Sequence, residues 1–157
     1  MLPAGDAAKS VEREKNKMIQ SYTLLGMLGI CAWEDYRRKR VLVYPVLAFA
    51  IAGLVLHLCY MDITIFNMLA GIAIGCILLL VSRITGGKIG IGDGMILIVS
   101  GIYLGFTENI RLFFHGLLLC GIWSLFLLVI RKRKRDEEIA FVPFLFLAYL
   151  EMLLFQG

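Results

Sequence analysis

Apolar positions in this chain come in long blocks separated by short charged loops. The blocks run from Ile19 to Trp33, about Val41 to Tyr60, about Ile63 to Val81, Met95 to Phe106, about Ile110 to Ile130 and about Ile139 to Phe155. A helix rises 1.5 Å per residue, so roughly 20 apolar residues cross the hydrocarbon of a bilayer. Most of the blocks approach that length. The Met95 block does so only if its helix begins near Asp93. The pattern therefore predicts an all-α polytopic membrane protein, a bundle of six transmembrane helices. Residues 1–18, which mix Lys9, Arg13, Lys15 and Lys17 with Asp6, Glu12 and Glu14, predict a polar tail or surface helix; residues 19–157 form the membrane domain. The Ile19 block is no signal-peptide core, because no small-residue cleavage site follows it and five further apolar blocks do.

Composition agrees with this reading. The 157 residues are 60% hydrophobic, with a mean hydropathy of +0.84, well above an ordinary soluble domain. The net charge of +4 is concentrated in short loops, which speaks for membrane orientation and against nucleic-acid binding. Alternation puts Arg37, Arg38, Lys39 and Arg40 on the same side as Arg83 and Lys88 and as the run from Arg131 to Arg135. The positive-inside rule assigns that side to the cytoplasm, with both termini outside. Cys31, Cys59, Cys76 and Cys120 lie in or at the ends of apolar runs without paired metal spacing and read as small core residues. No metal or cofactor is expected.

One stretch does not fit a mere connection: Gly86-Gly87-Lys88-Ile89-Gly90-Ile91-Gly92-Asp93-Gly94. A charge at a membrane helix end is costly unless it is paired or lines a water-filled cavity, so it marks a candidate functional site. Glycines let another backbone approach closely, and Asp93 would open the next helix, where free N–H groups favour a carboxylate. A hydrolase working with carboxylates needs a second one. Asp35, at the end of the first block, is expected on the same side of the membrane. Two such carboxylates work by dividing their protonation states: one activates water while the other polarises the scissile carbonyl.

Other conspicuous residues have plainer readings. Glu34 reads as a solvated charge beside Asp35, and Asp136-Glu137-Glu138 as a counterweight to the preceding basic run. His57 and His115 read as hydrogen-bonded interior histidines. Lys88 serves equally well as a loop anchor or as a group orienting a substrate backbone. Gly71-x-x-x-Gly75 and Gly101-x-x-x-Gly105 read as internal packing sites. Glu151 belongs either near the outer interface or to a chain end that is not membrane helix, and the final Leu153-Leu154-Phe155-Gln156-Gly157 is similar to a protease-tag remnant.

Gly90-Ile91-Gly92-Asp93 matches the GxGD motif of intramembrane aspartyl proteases, and its setting resembles the type IV prepilin peptidases. That family has a first aspartate at the cytoplasmic end of a membrane helix, then basic residues and an Ile-Pro pair. Here Asp35 is followed by Tyr36-Arg37-Arg38-Lys39-Arg40-Val41, with Leu42 where the proline usually stands. Phe141-Val142-Pro143-Phe144-Leu145 is similar to the start of the family's last helix, with Ala140 replacing the usual first proline. The resemblance implies cleavage of the leader from prepilins or pilin-like precursors at the cytoplasmic face of a prokaryotic inner membrane. Asp35 and Asp93 would be catalytic, and Lys88, Gly90, Gly92 and Pro143 would lie on the substrate's approach. The insertion with paired Cys-x-x-Cys motifs that accompanies N-methylation is absent, which implies a short form with peptidase activity alone. Rival readings are a small ion or proton transporter, a non-catalytic assembly subunit, or a presenilin-like protease. The last of these pairs GxGD with a Tyr-Asp motif, whereas Glu34 precedes Asp35 here.

Overall fold

The computed structural model describes residues 4–39, 41–60, 63–86, 90–130 and 140–155. Five helices follow one another among them: α1 (Ala4–Arg38), α2 (Val43–Tyr60), α3 (Ile65–Ile84), α4 (Ile91–Ile130) and α5 (Val142–Phe155). Val43–Tyr60, Ile65–Ile84 and Ile91–Val129 are each long and apolar enough to cross a membrane. The chain is an all-helical membrane protein as far as it is described.

Five helices, not the expected six, are assigned among the described residues, because α4 runs two helical segments together across a kink. No loop separates the fourth and fifth apolar blocks; both belong to α4, with one non-helical residue, Gly105 (φ 71°, ψ −168°), between them. That conformation is essentially restricted to glycine. It turns the chain back on itself: Asn109 Nδ2 donates to the Leu97 carbonyl at 2.9 Å, whereas 12 residues of straight helix would span about 18 Å. Two side chains fix the bend. Asn109 also donates to the Gly71 carbonyl at 3.0 Å and accepts from Ser100 Oγ at 2.6 Å. Asn67 of α3 accepts from the Phe106 N–H at 2.9 Å and so caps the second half of α4. α1 runs without a break from Ala4 through Met18 into the first apolar block.

α3 lies along α4, α5 lies against α1 and α4, and α2 packs on α4 and α1. The α3–α4 contact is backbone to backbone: a Cβ on Gly71 would fall 2.7 Å from the Gly105 carbonyl carbon, and one on Gly101 would fall 2.5 Å from that of Gly71. The small residues at these spacings therefore serve internal packing. α1 buries a stripe at helical spacing, Leu24, Met27, Leu28, Cys31, Ala32 and Asp35, against Leu145, Ala148 and Tyr149 of α5 and Ile96 and Leu97 of α4 in one core. The stripe ends on Asp35. Its periodicity carries a carboxylate into the core at the end of the helix.

Candidate active site

Contacts near the ends of the helices gather several elements around Asp35. Gly92 packs on Val41, just before α2, and Gly94 packs on Leu79 of α3. α1 stops just beyond Asp35, where Lys39 takes a left-handed φ of 50° and its N–H donates to the Asp35 carbonyl at 2.8 Å. The Asp35 side chain is 7% exposed, and its Oδ2 accepts from the N–H of Val142 at 3.1 Å. Val142 is the first residue of α5, so Asp35 satisfies one of the N–H groups that the start of a helix leaves free. Burial pushes the Asp35 carboxyl above the usual range, and the Val142 and Phe141 N–H groups pull it part of the way back.

Asp93 sits in the first turn of α4, as its third residue, where its N–H donates to the Gly90 carbonyl at 3.2 Å. Its carboxylate turns back over Gly90; a Cβ there would fall 2.8 Å from Oδ2. The space belongs to the carboxylate only because residue 90 is a glycine. Asp35 and Asp93 are near enough for the charge of one to act on the other, and Cys120, on the returning half of α4, is within the same range of Asp93. Asp35 and Asp93, from separate helices, thus lie within electrostatic range of each other, with the start of α5 bonded to Asp35 and Cys120 of the returning half of α4 in range of Asp93.

The remaining expected residues divide. Gly90 is exposed at the mouth of this end, and Gly92 is half-buried against the Val41 side chain, where a Cβ would come to 2.7 Å. Pro143 is half-buried in the first turn of α5, next to the residue that donates to Asp35. Lys88 lies outside the described residues, as does the Asp136-Glu137-Glu138 run. Glu34 is not the solvated charge expected: its Oε2 is buried with no hydrogen-bond partner. His57 is buried, while His115 carries a buried Nδ1 that is not hydrogen-bonded, contrary to expectation. Among the described residues, no group of three or more His, Cys, Asp and Glu side chains is placed to hold a metal ion. A cleft of about 640 Å³ opens between α1, the bend in α4 and α5, bordered among others by Arg13, Lys17, Tyr103, Arg111 and Tyr149; neither aspartate borders it.

The partner missing from the sequence reading is the Val142 N–H. A backbone donor leaves no mark in side-chain identity, but Pro143 was a signal, since proline is favoured in the first turn of a helix and so dates its start.

Residues 22–125, well over half of the chain, match the model of the type IV leader peptidase family. The chain belongs to that family. The matched stretch contains Asp35 and Asp93 and stops before α5, and it makes this membrane protein a leader peptidase-like protease. No curated protein and no solved structure matches the chain.

Proposed function

We propose that this leader peptidase family member is an aspartyl endopeptidase of the inner membrane of a prokaryote, which removes the leader from prepilins or pilin-like precursors at the cytoplasmic face. The observation that carries the proposal is the meeting of Asp35 and Asp93 at neighbouring helix ends within the matched stretch. Two carboxyl groups within electrostatic range of each other hold one proton between them more readily than two negative charges. The ionised one takes a proton from water as the oxygen attacks the scissile carbonyl, and the protonated one gives its proton to the carbonyl oxygen. The chemistry uses no covalent intermediate, metal or cofactor.

Sidedness follows from the basic loops around Arg37–Arg40, Arg83, Lys88 and Arg131–Arg135, which the positive-inside rule keeps in the cytoplasm at the end where the aspartates meet. A precursor whose leader stays in the cytoplasm while its following apolar helix lies in the bilayer brings its scissile bond to this level. Gly90 leaves room for the Asp93 carboxylate and Gly92 for the Val41 side chain, and Pro143 holds the first turn of α5 beside the donor to Asp35. Residues 19–157 are the peptidase unit, residues 4–18 extend its first helix, and the lipid bilayer is its solvent.

The test is cleavage of a pilin-like precursor in membranes by the wild type, Asp35→Asn and Asp93→Asn, after equal insertion of all three is established. Each variant is expected to lose cleavage by about 10³-fold or more. Cleavage by either variant at the wild-type rate removes that aspartate from the mechanism.

A further inference from the structure

Resting on the reading of Asp35 and Asp93 as the catalytic pair, we infer that Asp35 is the base and Asp93 the proton donor, and that the Val142 N–H at the start of α5 sets this division. Both carboxyl groups stand at the N-terminus of a helix, Asp93 at that of its own helix and Asp35 at that of α5, so helix dipoles alone do not tell them apart. The hydrogen bonds do. Asp35 Oδ2 accepts from a backbone donor at 3.1 Å, and an N–H bonds a carboxylate more strongly than a neutral carboxyl group. The Asp93 carboxylate accepts no hydrogen bond among the described residues. When one proton is shared between two neighbouring carboxyl groups, it goes to the one whose charge is less well stabilised.

The surroundings of Asp35 do not supply a rival charge of the right sign. On α1, Cys31 and Glu34 lie one turn below or beside it, and Arg37, Arg38 and Lys39 beyond it are exposed. α4 presents Asp93, α2 has only the exposed Tyr44 as a titratable group in its first turn, and the first turn of α5 has no ionisable residue. The N–H groups of Val142, at the start of α5, and of Phe141 before it are what favour the ionised form of Asp35 against its burial.

The cycle then balances. The Asp35 carboxylate takes one proton from water while the water oxygen bonds to the scissile carbon, and Asp93 passes its proton to the carbonyl oxygen, leaving a gem-diol. Asp35 next delivers the acquired proton to the amide nitrogen as the C–N bond breaks, and one diol hydroxyl returns its proton to Asp93. The products are a free acid and an amine, and both side chains end as they began.

Val142 is a positioning residue in this scheme, and its N–H can be removed without touching either aspartate. Val142→Pro deletes the donor at the first helical position, where proline is tolerated; Phe141 before it already accepts the Phe144 and Leu145 N–H groups as a helix cap. Val142→Ala keeps the donor and loses the packing, and so serves as the control. Replacing Val142 by its α-hydroxy acid analogue converts the amide to an ester and removes the same N–H with the side chain kept, which covers the case of a proline variant that does not fold. The readout is kcat/KM for a pilin-like precursor across pH, with Asp35→Asn as the inactive reference. The acid limb of the profile is expected to move up by about one pH unit in the proline and ester variants and to stay put in the alanine variant. Movement of the basic limb instead makes Asp35 the proton donor and overturns the assignment, as does an unmoved profile in a folded donor-less variant. Undiminished cleavage by Asp35→Asn is a different failure: it overturns the catalytic pair itself.

Discussion

The two ends of the first half of α4 treat polar groups in opposite ways. At the bend, Ser100 and Asn109 are fully buried; each bonds within the protein, and the amide of Asn109 reaches two carbonyls and one hydroxyl. At the other end, among the described residues, Asp35 meets only the backbone N–H groups of Val142 and Phe141, the Asp93 carboxylate accepts no hydrogen bond, and Glu34 Oε2 is buried without a partner. A carboxylate offers about four acceptor sites, so this end keeps unused hydrogen-bonding capacity in a setting where burial makes that costly. The satisfied end holds the helices together, and in the proposed function the unsatisfied end is the one that takes a substrate and a water molecule. Strain and under-satisfaction belong at functional sites when the rest of the fold is consistent enough to carry them.

If that contrast is right, stability is lost chiefly at the bend and activity chiefly at the aspartates. The largest stability effect is expected from Gly105→Ala. The residue stands at φ 71° and ψ −168°, and a Cβ would fall 2.8 Å from Asn67 Nδ2, the side chain that caps the returning half of α4. Backbone strain and the clash together predict a loss of about 3 kcal/mol or more, seen as a markedly lower Tm in detergent. A variant that melts like the wild type would show that the bend does not depend on glycine.

Asn109→Leu is expected to cost less, about 2 kcal/mol, because it leaves the Gly71 and Leu97 carbonyls and the Ser100 hydroxyl short of a partner. The measurement that sharpens the comparison is the pH profile of cleavage by the fraction that remains folded. It should match the wild type, since Asn109 sits just past the bend in α4 and its side chain bonds to neither aspartate. A displaced profile would mean that the two ends are coupled and that the contrast is not one of separate regions.

Much of this was legible in the apolar blocks and the two aspartates, for identifiable reasons. Helix positions followed block length, and the sharing of one end by Asp35 and Asp93 followed from alternation across a membrane. The joining of the fourth and fifth blocks was not legible, because Thr107, Glu108 and Asn109 look like a loop in sequence. In the fold they are helix, and one glycine does the turning while Asn109 is drawn into the core. The cap on Phe106 was hidden for the same reason: Asn67 is 39 residues away in the chain, and only tertiary packing brings it there. At the site, Glu34 misled because adjacent helical residues usually diverge, yet the end of α1 buries part of both carboxyl groups.

The smallest expected effect tests the aspartate end by stability rather than by activity. Asp35→Asn should abolish cleavage while leaving the fold intact, because the asparagine carbonyl oxygen can accept from Val142 as Oδ2 does. The sign of its stability change depends on pH. Burial raises the folded-state pKa of Asp35 above its unfolded value. Below the unfolded value of roughly 4 the carboxyl is neutral in both states and carries no charge penalty. As pH rises through the folded value, the folded chain must hold a buried charge that the unfolded chain solvates freely, so the wild type loses stability relative to the variant. The Tm difference, variant minus wild type, should therefore grow from acidic to neutral pH and level off above the folded pKa. If the wild type instead gains on the variant as pH rises, the α5 N–H groups outweigh burial, and Asp35 belongs with the satisfied polar groups of the bend rather than with the poised ones.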